Sequence, residues 1–171
     1  IKMKSKLAAS FIEEIFFIKK NNCLLEEKEQ ISYNVTVSWA RGKEMIIVSP
    51  EEIKKRTNYI KRNALPKDCD YVLIDIVDKI IFYIELKNSN SSSTALEVSQ
   101  QLKDGEWWIQ HLFYLMGIEN EYDEYQVFFI HSVLDARPAQ KSRNMKPNIH
   151  NVFKMNGNKI NLIPLLLNSI N

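Results

Sequence analysis

A carboxylate and an amine interrupt a strongly apolar run of the chain. Glu85 and Lys87 lie within the run that begins at Ile80, whose other residues are aliphatic or aromatic. A charged residue in a segment that should be buried needs an explanation, because burying a charge is costly. Side chains alternate along a strand, so Glu85 and Lys87 should share a face, about 7 Å apart along the chain. A second carboxylate, Asp70, stands just before the preceding apolar run.

Two carboxylates and an amine at one strand end are suited to metal-dependent chemistry on a phosphate ester. Carboxylate oxygens are hard ligands for Mg²⁺, which keeps several waters and recruits a phosphate oxygen. Such an ion polarises the phosphoryl group and lowers the pKa of a bound water. A nearby amine can orient that water and stabilise developing negative charge. The alternative is a plain ion pair on a solvent-facing sheet, which Glu-x-Lys alone would favour.

The two apolar runs predict an antiparallel hairpin. Tyr71–Ile76 and Ile80–Leu86 are rich in β-branched and aromatic residues, and a polar turn near Asp78-Lys79 separates them. Runs of β-branched and aromatic residues bounded by turn residues also predict the strands elsewhere in the chain.

The register of this hairpin decides which aspartate can act with Glu85. With a two-residue turn at Asp78-Lys79, Asp70 faces Lys87, and both share a face with Glu85 at the open end of the hairpin. Asp75 then points to the opposite face. A slip of one residue would exchange the two aspartates, so the prediction requires an even-numbered turn.

Helices and further strands should hold this hairpin. A helix is predicted over Lys6–Lys19, and another begins at Ser49-Pro50 and ends before Pro66. Thr94 and Glu97 form a capping box that opens a third helix. Its apolar residues at helical spacing are Val98, Leu102, Ile109, Leu112 and Met116. Further strands are predicted at Val35–Trp39, Met45–Val48, Tyr125–Ile130, Val152–Met155 and Asn158–Ile163, the last two as a terminal hairpin about 152–163 around Asn156-Gly157. The sum predicts a single α/β domain over 1–171, with a mixed central sheet flanked by helices.

Composition excludes several functional classes. The 171 residues are 45% hydrophobic and 26% charged, as in ordinary globular domains. Four glycines form no phosphate-binding loop, and the three widely separated histidines have no zinc spacing. The apolar runs are too short to span a membrane, and no secretory leader opens the sequence, so we expect a cytoplasmic protein without a membrane partner. The net charge of +2 is nearly neutral, and the basic runs around Lys54–Arg62 and Arg137–Lys146 become informative only if they flank a site.

The constellation on the hairpin resembles the PD-(D/E)XK nuclease superfamily. Glu85-Leu86-Lys87 matches the Glu-x-Lys half of the motif, and Asp70 stands at the aspartate, with Cys69 in place of the usual proline. The spacing of fifteen residues from Asp70 to Glu85 suits a strand–turn–strand unit. The resemblance covers about 68–130 and implies a restriction endonuclease-like core.

The resemblance also implies roles for individual residues. Asp70 and Glu85 would ligate Mg²⁺ or Mn²⁺, with the Leu86 carbonyl as a further candidate ligand, and Lys87 would position the attacking water. Gln101, on the following helix, is the candidate substrate-binding residue, favoured over Gln100. A complete Gln-x-x-x-Tyr pattern is absent, since Gly105 stands four residues beyond Gln101.

Many members add an acid from the first helix. Glu14 is the favoured candidate here, ahead of Glu13, Glu51 and Glu52.

The implied function is an Mg-dependent endonuclease, with DNA favoured over RNA as the partner, in restriction, phage defence or repair. Cutting two strands needs two sites, so a homodimer is compatible with this function. Two alternatives stay open: an inactive nucleic-acid-binding or interaction module on the same fold, and an RNA-cleaving toxin nuclease.

Overall fold

Strands dominate the chain between a few helices. The structure is a computed structural model that describes residues 3, 5–7, 14–27, 32–57, 66–88, 95–134 and 146–168. The strands are β1 (Phe16–Lys20), β2 (Asn22–Glu27), β3 (Tyr33–Ser38), β4 (Glu44–Val48), β5 (Tyr71–Asp75), β6 (Ile80–Lys87), β7 (Gln126–Val133), β8 (Val152–Asn156) and β9 (Lys159–Asn161). The helices are α1 (Pro50–Arg56), α2 (Ala95–Leu115), α3 (Ile163–Asn168) and a 3₁₀ helix (Glu119–Glu124).

These strands form two sheets. The central sheet has the order β1-β4-β5-β6-β7-β8, and the small sheet has the order β2-β3-β9. Neighbours in the central sheet are antiparallel from β1 to β6 and parallel from β6 to β8. A parallel connection needs a crossover, which α2 supplies between β6 and β7. The predicted α/β class with a mixed central sheet is therefore confirmed.

Both faces of the central sheet are buried, which explains why β5 and β6 are almost continuously apolar. One face packs against α2, whose buried residues include Val98, Leu102, Trp108, Ile109, Leu112 and Phe113. The opposite face packs against the small sheet and α3, which contribute Leu25, Val35, Val37, Ile160 and Leu165. The central sheet is thus the middle of three layers. Among the described residues, no helix is long and apolar enough to cross a membrane.

The β5–β6 hairpin is confirmed, although its turn is longer than predicted. Asp75 pairs with Ile80, so residues 76–79 form a four-residue loop. Asp75 holds this loop, because its Oδ1 accepts hydrogen bonds from the backbone N–H groups of Val77 at 2.9 Å and Asp78 at 3.0 Å. Lys43 lies 3.4 Å from the Asp75 carboxylate. The aspartate excluded from the site on register grounds therefore stabilises the turn.

The longer turn moves the pairing by two residues, and an even shift leaves every side chain on its predicted face. Tyr71 pairs with Ile84, and one further step in this register sets Asp70 opposite Glu85. The predicted pairing of Asp70 with Lys87 is wrong, whereas the predicted shared face is retained.

The capped start of α1 is confirmed: the Ser49 hydroxyl accepts a hydrogen bond from the Glu52 N–H at 3.4 Å, and the helix ends at Arg56, before Pro66. The third predicted helix is confirmed as α2. Thr94, half of its predicted capping box, lies outside the described residues.

The helix predicted over Lys6–Lys19 is wrong in its second half. Met3 and residues 5–7 are helical, 8–13 lie outside the described residues, and Phe16–Lys20 is strand β1. β1 pairs along its whole length with β4, from Phe16↔Val48 to Lys20↔Glu44. Pairing with a buried strand thus overrides the local helical pattern.

The terminal hairpin predicted about 152–163 is also wrong, although both strands exist. β8 pairs in parallel with β7 in the central sheet, whereas β9 pairs in parallel with β3 in the small sheet. The chain crosses between the layers at Gly157, which has a positive φ of 90° and whose N–H donates to the Val133 carbonyl at 2.8 Å. The Asn-Gly signal marks a real turn, but each strand has a different partner.

α2 approaches the start of β5 most closely at Gly105. A Cβ built on Gly105 would lie 2.4 Å from the Cys69 Sγ and 3.2 Å from its Cβ. Cys69 is 1% exposed and directly precedes Asp70, so it has little room to move. The absence of a side chain at position 105 lets the helix hold the backbone that carries Asp70.

We expect Gly105→Ala to destabilise the protein by about 1–3 kcal/mol through overpacking. Glycine to alanine normally stabilises a helix interior, by up to about 1 kcal/mol, so the sign is diagnostic. Urea denaturation measures the effect. The control is the double variant with Cys69→Ala, which removes the clashing sulfur and should recover much of the loss. A single variant as stable as the wild type would contradict this account of the helix packing.

Candidate functional site

A cleft of about 770 Å³ opens beside the end of β6 and the start of β5. Its walls come from both sheets and from α1 and α2. The described lining residues carry seven carboxylates and three lysines: Glu26, Glu27, Glu51, Glu52, Asp68, Asp70 and Glu85, with Lys54, Lys55 and Lys87. Phe17, Ser49, Tyr71 and Gln101 complete the lining. Asp70, Glu85, Lys87 and Gln101 were all predicted as site residues, and one cleft brings them together.

Asp70 is fixed against the neighbouring strand. It directly precedes β5, and its Oδ2 accepts a hydrogen bond from the backbone N–H of Leu86 at 2.6 Å. This short charge-assisted bond holds the carboxylate next to Glu85, across the hairpin. Asp70 therefore reaches the site through the backbone of the Glu-x-Lys segment itself.

Glu85 is the most deeply buried carboxylate of the cleft, at 1% exposure. Its Oε1 lies 2.6 Å from the Lys87 Nζ, and Lys87 is partly exposed. Its other oxygen, Oε2, is buried and has no hydrogen-bond partner in the described part of the structure. Buried polar atoms in native proteins are nearly always paired, so an orphaned carboxylate oxygen at a cleft indicates a missing water or ion.

Burial disfavours the charged forms of both carboxylates. Desolvation raises the pKa of Glu85 from about 4.5 to about 7, although the Lys87 ammonium acts in the opposite direction. Desolvation, followed by the negative charge of Glu85, raises the pKa of Asp70 well above its usual range, and the Leu86 N–H partly offsets this. Two carboxylates that repel each other in a poorly solvated place are stabilised by a proton or a cation.

The lysines of α1 lie at the edge of the same cleft. The Lys54 Nζ is 2.5 Å from Asp68, and the Lys55 Nζ is 2.7 Å from Glu51 and 2.9 Å from Glu52. This part of the predicted basic run therefore flanks the site. Lys61 and Arg62, and Arg137, Lys141 and Arg143 of the second run, lie outside the described residues.

The favoured upstream acid is not part of the cleft lining. Glu14 lies exposed in the turn before β1, with a carboxylate oxygen 3.6 Å from Arg56. Glu51 and Glu52 do line the cleft, and Glu13 lies outside the described residues. The helical spacing that favoured Glu14 does not apply, because the chain has left the helix at that point.

The sequence prediction missed Glu26 and Glu27, which line the cleft from the end of β2. No strand was predicted there. A signal was present: Cys23 and Leu25 are buried on alternate positions, and Glu27 continues that alternation at the strand end. The alternation of side chains that indicated Glu85 therefore also indicates Glu27.

His131 lies beside Glu85 in the parallel register of β6 and β7. Its Nε2 is buried and lacks a hydrogen-bond partner among the described residues. Burial, assisted by the positive charges of Lys154 and Lys87, lowers the pKa of His131 to about 4. The imidazole is therefore neutral at physiological pH.

The donor set suits a small, hard cation. In the described part of the chain, no group of three or more His, Cys, Asp or Glu side chains is arranged to hold a metal ion. Mg²⁺, however, commonly uses only one or two protein carboxylates and completes its shell with waters and phosphate oxygens. Asp70 and the orphaned Oε2 of Glu85 fit that requirement. The comparisons give no family to assign: the chain matches no protein-family model, no curated protein and no solved structure.

Without divalent cations, Glu85 should lower the free energy of unfolding as pH rises from about 4.5 to about 7. His131, whose pKa is lowered to about 4, contributes with the opposite sign over part of this range, so the effect of Glu85 is measured as a difference between variants. Between the two pKa values of Glu85, the folded protein keeps a proton on this residue that the unfolded chain has already released. The stability that Glu85 contributes is therefore fully present below about pH 4.5 and is lost as the pH approaches about 7. The loss is about 3 kcal/mol at 1.36 kcal/mol per pKa unit. Urea denaturation between pH 4 and 8 measures it. The difference in unfolding free energy between the wild type and Glu85→Gln should fall by this amount over that pH range, whereas the difference between the wild type and the exposed control Glu119→Gln should stay constant. An unchanged slope in Glu85→Gln would refute this origin of the pH dependence.

Proposed function

We propose that this protein is a metal-dependent nuclease of the PD-(D/E)XK type, which hydrolyses phosphodiester bonds in nucleic acid with Mg²⁺ or Mn²⁺. The observation that carries the proposal is the meeting of Asp70, Glu85 and Lys87 in one cleft, with one carboxylate oxygen of Glu85 buried and without a partner in the described part of the chain. The element order supports a restriction endonuclease-like core, because β5, β6, α2 and β7 follow one another through the region of the motif. In this proposal, the core is the part from about 68 to 130.

Asp70 and Glu85 would hold the cation. When bound, the cation supplies Lewis-acid polarisation of the phosphate and a more acidic water. Lys87 is the partly exposed member of its ion pair, while its partner Glu85 is buried. Its ammonium can donate to a water or to a phosphate oxygen from the same cleft, which orients the nucleophile and stabilises negative charge. The Leu86 carbonyl remains the further candidate ligand.

The remaining lining residues would act on the substrate. Gln101 reaches the cleft from α2 and can hydrogen-bond a phosphate or a base edge. Lys54 and Lys55 stand on α1 at the edge, where they can contact the phosphate backbone. DNA is favoured over RNA, in restriction, phage defence or repair. The excess of carboxylates over lysines makes a cation necessary before a polyanion can approach closely.

We expect cleavage of plasmid or oligonucleotide substrates that depends on Mg²⁺ or Mn²⁺. Asp70→Asn, Glu85→Gln and Lys87→Ala should each reduce the rate by about 100-fold or more, because each removes a group that stabilises the transition state. Glu124→Gln and Lys159→Ala are charge-matched controls away from the cleft lining and should retain wild-type rates. Thermal unfolding would verify that the variants remain folded.

DNA and RNA should be digested side by side, since an RNA-only activity would favour the toxin alternative. Cleavage activity that survives both Asp70→Ala and Lys87→Ala would refute the assignment of a nuclease site to this cleft. Absence of cleavage, together with absence of Glu85-dependent Mn²⁺ binding in calorimetry, would identify an inactive module on this fold.

A further inference from the structure

The small sheet brings a third carboxylate to the wall of the cleft. Glu27 is the last residue of β2 and pairs with Tyr33, the first residue of β3. It lies on the same side of β2 as the buried Cys23 and Leu25, and it lines the cleft with Asp70 and Glu85. Glu27 therefore faces the site from a different sheet from the one that carries the hairpin.

The end of β2 is fastened to the hairpin at this point. The Tyr71 hydroxyl donates to the Glu26 carbonyl at 2.9 Å and accepts from the Glu26 N–H at 3.3 Å. Tyr71 directly follows Asp70, and Glu26 directly precedes Glu27. The hydrogen bonds that join the two sheets therefore lie one residue from each of these two carboxylates. The position of Glu27 relative to Asp70 is consequently set by hydrogen bonds between the Tyr71 side chain and the backbone of β2.

A second buried polar atom without a partner lies near the same charges. The Tyr33 hydroxyl is buried and has no hydrogen-bond partner in the described residues, as is true of Glu85 Oε2. Burial, followed by the negative charges of Glu27, Asp70 and Glu85, raises the pKa of the Tyr33 phenol. The charge of Glu27 likewise raises the pKa of both Asp70 and Glu85. Tyr33 pairs with Glu27 and therefore shares its face of the small sheet. Buried polar atoms without a described partner, beside three carboxylates in a cleft of about 770 Å³, are suited to the waters of a hydrated cation.

We propose that Glu27 and Tyr33 are positioning residues of the cation site, which hold the waters of the ion bound by Asp70 and Glu85. This inference rests on the proposed function. Mg²⁺ and Mn²⁺ bound by two protein carboxylates retain waters that need hydrogen-bond acceptors and donors. Glu27 supplies the acceptor and a further negative charge, and Tyr33 supplies a hydroxyl. Neither residue needs to contact the ion directly, which agrees with the absence of a three-ligand cluster among the described residues.

The test is isothermal titration calorimetry of the full chain with MnCl₂ at pH 8. Glu27→Gln and Tyr33→Phe should each weaken Mn²⁺ binding by about 10-fold or more, the typical cost of removing a group that supports metal ligands. Glu119→Gln is the matched control, because it removes the same charge from an exposed residue that is not among those lining the cleft. It should change the affinity by less than about threefold, since exposed charges are screened.

Thermal unfolding without metal checks the fold of each variant. If Glu27→Gln does not fold, Glu27→Asp serves in its place: it keeps the charge but withdraws the carboxylate, and it should also bind Mn²⁺ more weakly. Equal affinities of the Glu27 and Glu119 variants would overturn the inference, provided that Glu85→Gln has lost binding. If Glu85→Gln binds Mn²⁺ as the wild type does, the proposed function itself fails.

Discussion

The structure depends on a carboxylate that is almost completely removed from bulk solvent. Glu85 lies near the end of an otherwise apolar strand at the middle of the central sheet, and among the described residues one of its oxygens has a partner and the other has none. A buried charge is tolerated when it is paired, protonated or coordinated to a metal. Lys87 satisfies one oxygen, while Asp70, held by the Leu86 N–H, adds a second carboxylate instead of a countercharge. The fold thus concentrates negative charge at one point of an apolar layer.

The central hairpin and the two layers around it maintain this arrangement. Asp75 fixes the four-residue loop at one end of the hairpin, and its hydrogen bonds set the register that puts Asp70 opposite Glu85 at the other. Gly105 allows α2 to approach Cys69, so the backbone before Asp70 is packed from the helix side. From the other side, Tyr71 fastens the end of β2. The carboxylates are therefore held by contacts in all three layers, as a preorganised site requires.

Much of this could be predicted from the sequence because the signals are local. Alternation and apolar runs predicted the hairpin, and the spacing from Val98 to Leu112 predicted α2. The face of Asp70 was predicted correctly because a turn longer by two residues leaves each side chain on the same face of the sheet. The residue opposite Asp70 was not, because the pairing itself shifts by two residues. The small sheet could not be predicted, since β3 and β9 are separated by more than a hundred residues and are paired by tertiary contacts, and no strand was predicted at β2. The helical pattern that favoured Glu14 is likewise overridden by the pairing of β1 with β4. Glu27 could not be predicted, because it lies near Asp70 only after β2 has packed against the hairpin.

Protons, Lys87 and a divalent cation are three ways to neutralise the same buried charge, and this links stability to the proposed function. At low pH the proton suffices, and the apo site is at its most stable. At higher pH the proton leaves and the Lys87 ammonium compensates only one oxygen of Glu85. A cation that binds Asp70 and Glu85 would then displace no proton and would relieve the repulsion between them, so its affinity should increase with pH over the range in which the carboxylates ionise. The same cation would replace Lys87 as a countercharge to Glu85. The Lys87 ammonium could then donate a hydrogen bond to a phosphate oxygen. The burial that weakens the empty site is, on this argument, what prepares it for a cation and a polyanion together.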